Sequence, residues 1–308
     1  MRFPECPPTP STCHHTRVGQ RGTFEPEEVA KVHRRVRDGA LAAAGLLWFA
    51  CAVAPPARAE GEIEILVLKE HGVGSPTLAQ PYVDRFVAVA AQQNSWPGAK
   101  GQYFGTRNAA ETYLASHQPH YGILSLAAFL AMRKPHHLEV VGKVASTLAG
   151  GEQYFVVSKT ATDLAGCKGQ VLASDHTSDA QFVEKVVARG DFKLADFKLL
   201  QNQRPLQSLK QLLGGEATCA LIDDAQLGEL QRLPGGSDVH PVWKSRQLPP
   251  MAVVAFPAAP AAERKAFQAS LDGVCDEAGQ DACAEIGIHM LDAASPDDYA
   301  EVVAAYGR

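Results

Sequence analysis

No stretch of this 308-residue chain reaches the ~18 to 20 uninterrupted apolar residues of a membrane-spanning helix, and the nearest approach, Ala40 to Val53, stops at 14. Low-complexity linkers are missing too, so nothing divides the chain into tethered modules. Charge is scarce. Charged residues are 20% against 46% hydrophobic, a balance that fills a core and excludes a disordered or charged-tail protein. Basic residues are the scarcer sign, 29 Lys and Arg against 34 Asp and Glu, which weighs against nucleic acid as a partner. No cysteine stands in a Cys-x-x-Cys pair, which excludes the common zinc frameworks, and neither a metal nor a cofactor is expected. Gly-x-Ser-x-Gly, His-Glu-x-x-His and Gly-Lys-Ser signatures are absent, so hydrolase chemistry has no motif behind it and the chain is not expected to be an enzyme.

What surrounds the apolar run gives it meaning. Arg34, Arg35 and Arg37 precede it, and Pro55-Pro56-Ala57-Arg58-Ala59 follows it before Glu60. A charged stretch, an apolar stretch and Ala-x-Ala at Ala57 and Ala59 make a secretory signal, cleaved after Ala59. The short run and the proline pair weigh against an uncleaved anchor. Cys51 follows Trp48-Phe49-Ala50 rather than the usual Leu and small residues, which disfavours lipidation. Residues 1–30, rich in Pro, His and Thr, read as a disordered leader or a mis-assigned start. Removing residues 1–59 takes away eight Lys/Arg and five Asp/Glu, leaving about 21 basic and 29 acidic residues. The expected location is the periplasm, where Cys167, Cys219, Cys275 and Cys283 can make two disulfides. Cys275 and Cys283 flank a short turn, and Cys167 and Cys219 meet if their strands are neighbours; other pairings stay open.

From Glu62 the chain alternates short β-like runs with helical runs, an α/β rhythm. Strands are expected at 63–68, 101–104 and 121–124, with helices at 77–93, 107–116 and 126–133. Pro76 and the spacing of Leu78, Tyr82, Val83, Phe86, Val87 and Ala90 signal the first helix. After an isolated strand at 154–158 the pattern restarts, with strands at 170–173, 197–200 and 219–222 and helices at 179–188, 206–213 and 225–230. Two such halves predict two lobes, each a mainly parallel sheet with flanking helices, and a cleft between them. A second isolated strand, Pro249 to Phe256, is expected to pair with Tyr154 to Ser158 as a two-strand hinge. Helices near 261–278, 282–291 and 296–306 then pack back on the first lobe. The domain layout is residues 1–59 leader and signal peptide, 60–152 lobe I, 153–249 lobe II and 250–308 the return strand with C-terminal helices.

Ligands of open parallel sheets sit beyond the carboxyl ends of the strands. Lobe I places Glu70, His71, Thr106, Arg107 and Ser125 there, and lobe II places Asp175 to Ser178, Gln201 to Arg204, Asp223 and Asp224. The turn Ser174-Asp175-His176-Thr177-Ser178 opens a helix with Phe182, Val183, Val186 and Val187 on its apolar face. Its free N–H groups, helix dipole and hydroxyls suit an oxyanion. Ser178 with Gln181 also reads as a capping box. Thr106 and Ser125 are each either a cap or a ligand contact. Arg107 either neutralises an anion or lies solvated, and Asp223 either caps a helix or accepts from the solute.

The chain resembles the phosphate, phosphite and phosphonate substrate-binding proteins of ABC transporters, the PhnD-like group within the type 2 periplasmic binding fold, over about residues 62–305. The resemblance rests on Tyr154-Phe155-Val156-Val157, on Leu164-Ala165-Gly166-Cys167-Lys168-Gly169, and on the Thr177-Ser178 turn. Leu212 to Asp223, a helix, a glycine pair and a strand ending in aspartate, and the Asp298-Tyr299 pair add to it. It implies a two-lobed, two-strand-hinged fold, oxyanion contacts from Thr177, Ser178 and Ser125, a cleft-facing Tyr154, and Asp223 at the solute's other end. His176, Thr106 and Arg107 complete the candidate site. The implied partners are a small oxyanion and an ABC permease of the inner membrane, with the protein a monomer. Two positions depart from the family: Gln203-Arg204-Pro205 stands where it has Ser-His, and His176-Thr177-Ser178-Asp179 replaces a Ser-Thr-Ser-Gly-like turn. Asp179 repels a dianion. A periplasmic sensor for another small organic solute, or an enzyme on the same fold, are the alternatives.

Overall fold

The computed structural model describes residues 61–71, 76–146, 150–276 and 279–307, all within the unit Ala54–Arg308. The expected leader, signal peptide and Cys51 lie outside the described residues. Among the described residues no helix is long and apolar enough to cross a membrane.

In lobe I, β1 (Ile63–Leu68) lies between β2 (Ala99–Phe104) and β3 (Tyr121–Leu124), all three parallel. β1 and β3 are buried throughout, as strands covered on both faces are. α1 (Pro76–Gln93) and α2 (Arg107–Leu114) make the crossovers, and α3 (Leu126–Met132) leaves β3. Pro76 starts α1 because its missing N–H has no intrahelical partner to lose there. Three antiparallel strands extend the sheet: β4 (Glu139–Ser146), β10 (Ala252–Ala255) and β11 (Ile288–Ala293), in the order β11-β4-β10-β3-β1-β2.

Lobe II repeats the scheme with five strands, in the order β7-β6-β8-β5-β9. β6 (Val171–Ser174), β7 (Lys198–Gln201) and β8 (Cys219–Asp223) are parallel; β5 (Tyr154–Ser158) and β9 (His240–Lys244) join antiparallel. Pro241, which has no N–H to give a ladder, lies in β9 at the sheet's edge. α4 (Pro205–Leu213) precedes β8 and α5 (Asp224–Leu230) follows it. Each sheet is therefore mixed, a parallel kernel of three strands widened by antiparallel ones. Cys167–Cys219 ties the turn before β6 to β8, and Cys275–Cys283 ties the end of α6 (Ala261–Val274) to α7 (Gln280–Glu285).

The two-crossing hinge is made of other residues than expected. β5 pairs within lobe II and β10 within lobe I, so Tyr154 to Ser158 and Pro249 to Phe256 do not pair with each other. The segments just before them run side by side instead: Ser245 N donates to Tyr154 O at 2.8 Å and Leu248 N to Glu152 O at 2.8 Å. Buried apolar strands find sheet partners on both sides, which leaves the more polar connections to cross between lobes.

The expected helix 282–291 ends at Glu285, where Gly287 takes a left-handed φ of 72° and turns the chain into β11. β4 escaped sequence reading because Gly142 and Lys143 break its apolar pattern. Gly142 is there because a Cβ would meet Leu271 Cδ1 at 2.4 Å and Asp292 O at 2.8 Å. The helix expected at 179–188 is a π-helical segment, Phe182–Val187, burying the predicted Phe182, Val183, Val186 and Val187. One apolar cluster packs α1 and α6 on lobe I, while another runs from Leu124 and Phe129 of lobe I to Tyr154, Val156 and Phe182 of lobe II. α8 (Ala300–Tyr306) rests on both α3 and the π-helical segment, so it touches lobe II as well as the expected lobe I.

Candidate functional site

Strand ends from both lobes meet around a small, partly enclosed pocket of about 20 Å3, lined by Lys69, Glu70, His71 and Ser125 from lobe I and by Tyr154, His176 and Asp223 from lobe II. Gly150 and Gly151 of the hinge close one side. The volume has room for about one water, so the lobes are closed on each other here. Two wider grooves, of about 310 Å3 beside Lys185 and Arg189 and about 450 Å3 beside Gln92 and Gly273, are open to solvent and contain none of the strand-end residues.

Four of the eight candidate residues line the pocket: Ser125, Tyr154, His176 and Asp223. The Ser125 hydroxyl makes no cap contact and donates to Glu70 Oε2 at 3.4 Å. Tyr154 is buried, its ring edge-on to His176 at 5.1 Å between centroids. Asp223 does cap α5: its Oδ1 accepts from Gln226 N at 2.8 Å, and Gln226 Oε1 accepts from Asp223 N at 3.0 Å. Burial, helped by Asp224 and Asp175, pushes the Asp223 carboxyl up despite His176 and the Gln226 N–H.

The other four stand outside the pocket. Thr106 caps α2 by accepting from Ala109 N at 3.4 Å. Arg107 is engaged by two carboxylates, donating to Glu70 from Nε (3.1 Å) and Nη2 (2.9 Å) and to Asp179 Oδ2 from Nη1 (2.8 Å). Burial lowers its pKa, but these carboxylates outweigh that and raise it. Thr177 is buried in the turn after Asp175, and Ser178 is exposed. The Ser178–Gln181 capping box is not formed. Asp179 Oδ1 accepts from Phe182 N at 2.9 Å instead, and the Gln181 amide donates to Tyr306 O. The helix starts a residue later than expected, so its N-terminal charge is met by a fixed carboxylate that Arg107 already neutralises.

Sequence reading named Glu70, His71 and Asp175 as strand-end residues but passed over their assembly, and it missed Lys69 and Gln226. His71 Nδ1 lies 2.9 Å from Asp175 Oδ2, and its ring centroid 4.2 Å from that of His176. Burial pulls His71 down, but the hydrogen bond and charge of Asp175, with Glu70 and Asp223, carry it above its usual value. Burial likewise pushes Asp175 up, and His176, His71 and Gln226 outweigh it and hold the carboxyl well below the usual range. Gln226 is the hub, with Nε2 donating to Asp175 Oδ1 at 2.9 Å and Oε1 at 2.9 Å from His176 Nε2. The Asp-x-x-Gln box was the signal for it. Lys69 is lowered by burial and raised by the charge of Asp223; among the described residues no carboxylate lies within salt-bridge distance of it. His71, Asp175 and His176 offer imidazole and carboxylate atoms that all lie within 4.8 Å of one another, a spacing compatible with a metal ion.

No family model matches the sequence, and no curated relative matches it. Solved structures match by shape. The binding-protein component of an ABC phosphonate transporter from Pseudomonas aeruginosa is 12% identical, with 79% of this chain and 85% of that one covered and a TM-score of 0.59. A Xanthomonas citri protein bound to chloride ion is 10% identical, with coverage of 80% and 98% and a TM-score of 0.63. PhnD1 from Prochlorococcus marinus, in complex with methylphosphonate, is 9% identical, with coverage of 78% and 95% and a TM-score of 0.58. The likeness shows the fold: a two-lobed α/β architecture of the type 2 periplasmic binding kind.

Proposed function

We propose that this protein is the periplasmic solute-binding component of an ABC importer, a monomer that captures a small oxyanion such as phosphate, phosphite or a phosphonate by closing its lobes. The observation behind this reading is the convergence of polar strand-end residues of both lobes on one cleft, with the ammonium-bearing Lys69 in its lining. Lys69 and the cationic form of His71 supply positive charge, and Ser125 supplies a hydroxyl donor. Asp223, on the opposite lobe, faces whatever donor the solute carries at its other end. The neighbours that share the fold support the choice, since one is described as a phosphonate-transporter component and another is complexed with methylphosphonate. Closure supplies the mechanism: the solute binds the closed state better than the open one, and the inner-membrane permease recognises the closed form.

A thermal-shift screen against phosphate, phosphite, methylphosphonate, sulfate and alkyl sulfonates tests this. A ligand at 100 times its Kd adds about 2.7 kcal/mol of stability. Lys69→Ala and Ser125→Ala are expected to abolish the shift. Thr177→Ala and Ser178→Ala ask whether the turn after β6 contributes as well. No shift with any oxyanion sinks the assignment.

A further inference from the structure

We propose that His71 Nδ1, the Asp175 carboxylate and His176 Nε2 form a binding site for a divalent transition-metal ion that joins the two lobes. The proposal rests on the closing cleft described above, and it adds a second ligand class to that cleft. A tetrahedral ion with bonds of about 2.0 to 2.2 Å separates its ligand atoms by about 3.4 Å. His71 Nδ1 to Asp175 Oδ2 is 2.9 Å and His176 Nε2 to Asp175 Oδ1 is 3.8 Å, on either side of that value. All the donor atoms lie within 4.8 Å of one another, so shifts of a side-chain torsion suffice to surround an ion.

Three further features fit a metal. Asp175 and His176 are almost fully buried, 4% and 2% exposed, so an ion held by them is shielded from competing water. Gln226 Nε2 at 2.9 Å and Ser208 Oγ at 3.4 Å donate to Asp175 Oδ1, outer-sphere support that fixes a ligating carboxylate in orientation, while the ion takes the place of the proton that His176 Nε2 gives to Gln226 Oε1. His71 carries a left-handed φ of 62°, and this backbone turn brings a lobe I imidazole against lobe II. Two imidazoles and one carboxylate select zinc, nickel, cobalt or copper over magnesium and calcium, which prefer all-oxygen shells. Only the closed lobes assemble the set, since His71 belongs to lobe I and the other two to lobe II.

Isothermal titration of the EDTA-stripped full chain with zinc chloride tests the proposal, with magnesium and calcium chloride as controls and cobalt absorption as a readout of coordination. The expected result is one zinc ion per chain lost in His71→Ala, weakening of at least about 100-fold in His176→Ala, and about 10- to 100-fold weakening in Gln226→Ala. His71 is the most exposed of the three ligands, 22% by side chain, so its variant is the one expected to keep the fold, checked by circular dichroism. His14 and His15 are common to every variant, so the difference between variants reads the cleft. Zinc should also lower the radius of gyration of the wild type in small-angle scattering and leave that of His71→Ala unchanged. Absence of zinc binding, or binding unchanged in His71→Ala, overturns the site. An oxyanion thermal shift that persists in EDTA leaves the solute reading standing when zinc fails; zinc binding without any oxyanion shift does the reverse.

Discussion

Lobe I and lobe II meet the cleft with opposite charge. Lobe I brings Lys69, His71 and Arg107, and lobe II brings Asp175, Asp179 and Asp223. Glu70 is lobe I's exception, and Arg107 of the same lobe engages it. Closure therefore forms ion pairs between lobes, Arg107 with Asp179 and His71 with Asp175, in a setting where water screens them less than at an open surface. A solute has to fit among groups that already satisfy one another, which favours one carrying both a charge and a hydrogen-bond donor. The lobes also differ in how they are fastened. Lobe II's disulfide spans 52 residues and ties its central strand, whereas lobe I's spans eight and ties two peripheral helices.

The largest effect expected from this contrast is on the disulfides. Replacing Cys167 and Cys219 with Ala should cost about 4 kcal/mol, from the chain entropy of the longer loop, and replacing Cys275 and Cys283 about 2.5 kcal/mol. Equal melting temperatures for the two double variants would break the comparison. Next is Arg107→Ala, which leaves Glu70 and Asp179 facing each other at 10% and 12% side-chain exposure. A loss of about 2 kcal/mol is expected, below the range for a fully buried pair, together with a larger radius of gyration as the lobes part. Stability loss without opening would assign Arg107 to lobe I alone. Gly150→Ala in the hinge should cost about 1 to 2 kcal/mol, because φ is 71° and the new Cβ would sit 2.4 Å from Asp223 Oδ2. The smallest effect belongs to Glu229→Gln, which removes an exposed pair with Arg232 inside lobe II and should change the melting point by less than about 0.5 kcal/mol in equivalent stability.

Much of the frame could be read beforehand. The apolar runs of β1, β3, β5, β8 and β10 and the period of α1 belong to local backbone geometry, which repeats every two or 3.6 residues. The strands that escaped, β4, β9 and β11, are interrupted by Gly142, Pro241 or the exposed Met290, and hold their places through partners remote in sequence. At the site, Ser125, His176 and Asp223 could be picked out because strand ends are countable, and Tyr154 because of the family resemblance. Arg107 could be picked out too, but its engagement by Glu70 and Asp179, 37 and 72 residues away, could not.

The sequence by itself determined the strand and helix alternation, the start of α1, the presence of four cysteines able to pair as two, and the polar residues beyond the strands, because these follow from short-range periodicity and composition. Tertiary structure alone decided that the hinge is made by the segments before β5 and β10, that Asp179 rather than Ser178 caps the π-helical segment, and that His71 reaches Asp175 across 104 residues. The reason is physical: the hinge and the His71–Asp175 contact form where the two lobes meet, and Asp179 is held as the cap by Arg107 of the other lobe, so each depends on residues far apart in the chain that no local pattern encodes.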